Sequence, residues 1–131
     1  MALDPGARRI GVAVSDETGL IATPVAVLER STRRRDLERV RALIDEYRPE
    51  LLLIGLPLLP SGDEGPQARQ SRLFAELLRQ EFDLQVRLWN ESYSTVAAHR
   101  RRASVGARRR RSAVDAEAAA IFLQDYLDAS R

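Results

Sequence analysis

The chain of 131 residues has no cysteine, no lysine and a single histidine, His99. Without cysteine there is no disulfide staple, no thiolate-ligated zinc or iron–sulfur site and no cysteine nucleophile. One histidine excludes a two-histidine metal motif and leaves a thin basis for a Ser-His-Asp hydrolase. Catalytic chemistry, if present, therefore falls to carboxylates. No apolar run approaches the ~18 residues of a membrane-spanning helix, and charged residues break the opening apolar stretch before a signal-peptide layout can form. These absences lead us to expect a cytoplasmic protein with no membrane partner. With 44% hydrophobic and 31% charged residues, the composition is that of a globular protein, and the length suits a single domain over residues 1–131.

All 21 basic residues are arginine, set against 19 acidic ones, for a formal net charge of +2. The sequence pI of 9.6 follows from that choice, because arginine holds its charge beyond pH 12. The distribution says more than the total. Residues 1–50 carry nine arginines and nine acids, 51–95 four and six, and 112–131 one and four, whereas the 16 residues from Val96 to Arg111 hold seven arginines and no acid. A block of +7 in a nearly neutral chain is either a solvated face or a surface for phosphates.

Hydrophobic periodicity changes along the chain. Residues up to Asp4, Ile10 to Ser15 and Leu20 to Leu28 read as three consecutive antiparallel strands, with Pro5-Gly6 and Asp16 to Gly19 as turns and Pro24 suited to an edge strand. From Arg33 the spacing of Leu37, Val40 and Ile44 is helical, and Pro49 lies beyond its end. Leu51 to Leu56 is continuously apolar, as in a central strand covered on both faces. A Pro/Gly loop over Pro57 to Pro66 precedes a helix through about Gln80, and Leu84, Val86 and Leu88 then alternate with Gln85, Arg87 and Trp89 as a fifth strand. A short helix from about Ser94 leads into the arginine block, and a last helix begins near Ser112. The order βββ, α, β, α, β, α, α predicts an α/β fold with a five-stranded mixed sheet flanked by helices.

Three carboxylates stand at informative places. Asp4 is where the first strand meets its turn, and Glu91 follows the fifth strand at the carboxyl end, where open α/β sheets bind ligands. Asp115 falls on the same helical face as Ala118, Ala119, Phe122, Leu123 and Tyr126, opposite Glu117, Gln124 and Asp128. A carboxylate on an apolar face needs compensation by a cation or hydrogen bonds. The alternative for Asp115 is structural, since Ser112 to Asp115 has capping-box spacing at a helix start. Carboxylates converging from two strand ends and a helix suit hard divalent ions such as Mg²⁺ or Mn²⁺, and a pair of ions could activate water and stabilise the leaving oxygen of a phosphodiester.

The stretches Leu3 to Asp16, Ile54-Gly-Leu-Pro57, Gly62 to Pro66, Trp89-Asn-Glu91 and Val114 to Ala119 resemble, in order and over almost the whole chain, the YqgF/RuvX family of RuvC-like nucleases. The resemblance implies an RNase H-like fold and a metal-dependent nuclease site at Asp4, Glu91 and Asp115. It also implies action in 5′-end processing of pre-16S rRNA during ribosome biogenesis, or on Holliday junctions. The chain departs from the family at Asn90-Glu91-Ser92, where an Asp-Glu-Arg triplet is usual, and at Leu59, where a polar residue is common.

The expected partners are thus structured RNA (pre-rRNA) or branched DNA, with a homodimer also admitted. Nucleic-acid contacts are expected at Arg8, Arg9, Arg100, Arg101, Arg102, Arg108, Arg109, Arg110 and Arg111. His99 reads as structural or exposed, Asp16 as a turn residue with a supporting role at the site open to it, and Tyr93 and Ser94 as neighbours of substrate. The competing expectation is a non-catalytic RNA-binding ribosome assembly factor with the same fold.

Overall fold

A computed structural model describes residues 1–91 and 111–130, with side chains in the last helix described from residue 116 onward. The elements are β1 (Ala2–Pro5), β2 (Arg9–Ser15), β3 (Ala22–Glu29), α1 (Arg33–Tyr47), β4 (Leu51–Leu56), α2 (Pro66–Glu81), β5 (Gln85–Asn90) and α3 (Arg111–Ala129). The strands form one five-stranded sheet in the order β3-β2-β1-β4-β5. β1 runs antiparallel to β2 and parallel to β4, and β4 runs parallel to β5. This is the expected mixed sheet. The short helix expected from about Ser94, together with His99, Tyr93 and Ser94, lies outside the described residues.

β1 has only four residues, yet it occupies the centre of the sheet. Its pairing is extended by Met1, whose backbone carbonyl accepts from Leu53 N (2.9 Å) and whose terminal amine donates to Leu51 O (2.9 Å). Pro24 lies on the edge strand, β3, where its missing N–H costs no ladder bond; a register irregularity at Val12/Ala13 accompanies it. β3 begins at Ala22, later than the expected Leu20. The reason is local: Asp16 Oδ1 accepts from Leu20 N (2.9 Å) and Ile21 N (3.3 Å), so those amides close the turn. These backbone donors, Leu20 first, hold the exposed Asp16 carboxyl below its ordinary range. Asp16 is therefore a turn residue, at the opposite end of β2 from the residue that faces Asp4.

The helices start and stop where their sequences dictate. Thr32 caps α1 by accepting from Arg35 N (3.2 Å), and Arg48, left-handed at φ 48°, closes it through a bond from its N–H to Ile44 O (2.7 Å), just before Pro49. Pro66 opens α2 at a position that needs no amide donor.

Alternation along the strands divides the core in two. Met1, Leu3, Ile10, Val12, Leu52, Ile54 and Val86 point to one face, where Val40 of α1 and Phe74, Ala75 and Leu78 of α2 cover them. Ala2, Ala13 and Leu53 point to the other, under Ala118, Ala119, Phe122 and Leu123 of α3. As the helical wheel predicts, those α3 residues are buried while Glu117 and Asp128 are exposed. No helix among the described residues is long and apolar enough to cross a membrane.

Candidate active site

Asp4 and Glu91 are both only 5% exposed, in a chain where just two other polar side chains, Asp36 and Ser71, are described as buried. Asp4 follows Leu3 on β1, so alternation turns it to the α3 face with Ala2. Its antiparallel partner is Gly11. On the other side, one residue beyond the Leu3–Ile54 pair, stands Gly55. Both strands flanking Asp4 thus carry glycine at its level.

Glu91 reaches the same place from β5. Its amide donates to Leu56 O (3.0 Å), which prolongs the parallel ladder one step past Asn90. Its carboxylate lies over Gly55: a Cβ at that position would overlap Glu91 Oε1 and come within 3.0 Å of Glu91 Cδ and Phe122 Cε2. Only glycine leaves this space, and the space belongs to a carboxylate. Two acidic side chains from β1 and β5 therefore converge on the bare backbone of β4.

The backbone of α3 runs over the same face of the sheet. Gln124 is tied to the β2–β3 turn, accepting from Ala22 N (3.0 Å) and donating to Leu20 O (2.8 Å), which fixes the later part of the helix at the amino end of β1. At 1.5 Å per residue, the helix backbone at Asp115 is roughly 13 Å toward the other end of the sheet, where β1 and β5 deliver Asp4 and Glu91. Asp115 also holds the helix position one turn before the buried Ala118 and Ala119. Its side chain is outside the described residues. Among the described residues no cluster of three metal-ligating side chains is found.

Oxygen-only donors, buried and converging on an open backbone, fit a hard divalent cation and do not fit zinc or copper, which favour nitrogen or sulfur. Arg8, exposed, and Arg9, half-buried, sit in and just after the β1–β2 turn that follows Asp4. The expected nucleic-acid contacts at Arg100, Arg101, Arg102, Arg108, Arg109 and Arg110 lie outside the described residues, as does the side chain of Arg111.

The RuvX family model, described as a Holliday junction resolvase, matches residues 1–129. The chain belongs to the RuvX family. A Geobacillus kaustophilus relative, named as a candidate pre-16S rRNA nuclease, is 45% identical over 135 residues that span 100% of this chain and 98% of its own. A Myxococcus xanthus relative with the same name is 43% identical, covering 100% and 88%. Among solved structures, Thermus thermophilus RuvC in complex with a Holliday junction superposes with a TM-score of 0.56 at 19% identity, covering 98% of this chain and 92% of that one. The Fowlpox virus resolvase, also bound to a Holliday junction, gives 0.51 at 12% identity. At such identities these likenesses establish the RNase H-like fold of RuvC resolvases and nothing finer.

Gly55 is the site residue to which residue-by-residue reasoning gave no role. Its signal was present, since a glycine inside an unbroken apolar strand marks a close approach. What approaches it, a carboxylate arriving from 36 residues later, is a fact of the fold alone.

Proposed function

We propose that this RuvX-family chain is a divalent-metal-dependent endonuclease that hydrolyses phosphodiesters of structured RNA or branched DNA. Its leading role in this reading is 5′-end processing of pre-16S rRNA in the cytoplasm, with Holliday junction cleavage as the second substrate class. The observation that carries the proposal is the buried Glu91 carboxylate over Gly55, on the strand whose register sets it beside the buried Asp4. The names and descriptions of the relatives support it.

Asp4, Glu91 and Asp115 would hold Mg²⁺ or Mn²⁺, as one ion or two. Such ions supply a Lewis acid for the phosphate and a water of lowered pKa. The chain's own contribution is placement. Asp4 is fixed by a central strand paired on both sides, so its carboxylate is held with little freedom to lose. Glu91, at a strand end, has the reach of one more methylene and suits a ligand or a group that orients water. Gly55 keeps the space between them clear. Arg8 and Arg9, with the arginine block, would neutralise the substrate backbone on either side of the reacting phosphate.

The test is cleavage by purified protein of a pre-16S rRNA 5′ leader fragment and a four-way DNA junction, in Mg²⁺, in Mn²⁺ and in EDTA, beside the Asp4→Asn variant. Metal-dependent cleavage that the variant loses supports the reading. Equal cleavage by the variant removes Asp4 from the site. Salt-sensitive binding without cleavage by the parent chain instead identifies an RNA-binding assembly factor. Light scattering of the same samples decides whether two copies act together.

A further inference from the structure

Arg8, at the carboxyl end of β1, has further arginines near it, Arg33, Arg34 and Arg35, to which no role has yet been given. The β1–β2 turn and the β3–α1 connection are bound to each other there: Arg30 N donates to Arg8 O (2.8 Å) and Arg30 Nη1 to Gly6 O (2.8 Å). Arg30 is itself held against the Phe74 ring, 5.6 Å from its centroid, so it serves as the clamp. The clamp brings Arg8 together with Arg33, Arg34 and Arg35, the first three residues of α1, and all four are exposed.

These four arginines have little to do in the fold. Arg34 makes a solvent-exposed pair with Glu38 (3.2 Å), a contact of the weak, screened kind. Among the described residues, Arg8, Arg33 and Arg35 make no ion pair. The nearest acid in sequence, Asp36, is buried and already accepts from Ser31 N (2.9 Å) beside Arg30. Three successive cations at the positive end of a helix dipole oppose the helix they begin. A cluster that is exposed, weakly paired at Arg34 alone among the described residues, and unfavourable to its own helix calls for an external anion.

We propose that Arg8, Arg33, Arg34 and Arg35 form a ridge that grips the sugar–phosphate backbone of a nucleic-acid substrate away from the reacting phosphate. The ridge stands at the start of α1, the helix that covers the sheet face opposite Asp4, and it connects to the Asp4 strand through the β1–β2 turn that carries Arg8. The ridge specifies no sequence, because arginines on phosphates fix register and orientation only. This inference rests on the nuclease reading for the identity of its partner.

The test uses the full chain, with a labelled four-way DNA junction and a duplex hairpin from the pre-16S rRNA leader as probes, in EDTA to prevent turnover. Combining Arg33→Gln, Arg34→Gln and Arg35→Gln should raise Kd roughly tenfold or more at low salt and reduce the slope of log affinity against log salt on DNA by roughly 2 to 3. Its Tm should match or exceed the parent's, since the substitutions relieve an unfavourable dipole interaction; a purely structural role would lower it. Arg8→Gln alone, outside the helix, should flatten the slope by about 1. Unchanged affinity and slope in both variants overturn the ridge and leave the arginines to an acidic protein partner. Failure of the nuclease reading has a different signature, because a parent chain that binds both probes through the ridge yet cleaves neither in Mg²⁺ or Mn²⁺ keeps the ridge and loses the enzyme.

Discussion

The two faces of the sheet are made by the same strands and obey opposite rules. Toward α1 and α2, β1, β2 and β4 present Met1, Leu3, Ile10, Val12, Leu52 and Ile54, all large and apolar, sealed under Phe74 and Leu78. Toward α3 the alternate positions are Ala2, Asp4, Gly11, Ala13, Leu53 and Gly55, under alanines and Phe122. One face maximises buried apolar area; the other becomes smaller and more polar toward the carboxyl end until only carboxylates and backbone remain. The first supplies the stability that lets the second carry buried acids, which are costly in an apolar setting.

Substitutions can break this division in turn. The largest expected effect is on the α3 face, where Asp4→Asn should reduce cleavage by roughly a thousandfold or more while thermal unfolding stays near the parent's. If stability falls with activity, Asp4 belongs to the core and the faces do not divide as described. Ile54→Ala, one residue from Gly55 and on the opposite face, should reverse the pattern. It should lose about 2–5 kcal/mol in a denaturant titration, with cleavage per folded molecule kept.

Gly55→Ala sharpens the contrast further. The added Cβ must displace Glu91 or Phe122, so cleavage should fall roughly 10- to 100-fold, with about 1–3 kcal/mol of destabilisation from overpacking. A fully active Gly55→Ala protein would show that the Glu91 carboxylate is not needed where it lies.

The sealed face also predicts a pH effect at Met1, where burial pushes the terminal amine down from 8.0 to about 6. Between those values the unfolded chain holds a proton that the folded chain has released. Stability should therefore rise from pH 6 to pH 8, by up to about 2–3 kcal/mol, and drop again as the pH returns to 6. Residues added before Met1 should abolish the slope.

The smallest effect belongs to Ser71, whose buried hydroxyl has no hydrogen-bond partner among the described residues. Ser71→Ala should be neutral or stabilising by up to about 1 kcal/mol, read as a small rise in Tm with cleavage unchanged.

Much of this is legible in the sequence. Leu51 to Leu56 coincides with β4 and Arg33 with the start of α1, because an unbroken apolar run and a capped, periodic one are local signals. The burial of Ala118, Ala119, Phe122 and Leu123 followed from the helical wheel alone. The start of β3 was less legible, since it depends on one Asp16 carboxylate capturing two amides. The arginines of α1 were plain in the sequence as Arg33-Arg34-Arg35, but their company was not, because Arg8 joins them only through the backbone bonds made by Arg30.

The sequence by itself narrowed the candidate chemistry. With no cysteine and one histidine, acids were left as the candidate groups, and arginine had to carry the positive charge. The order of strand-like and helix-like periods determined a mixed α/β sheet. Only the tertiary structure decided which acids meet. Asp4 and Glu91 are 87 residues apart in number and come to the same end of the sheet because β1 and β5 flank β4 in parallel, a strand whose Gly55 leaves room for the Glu91 carboxylate. Periodicity reports which face a residue takes, but which strands lie side by side is set by burying two different faces at once.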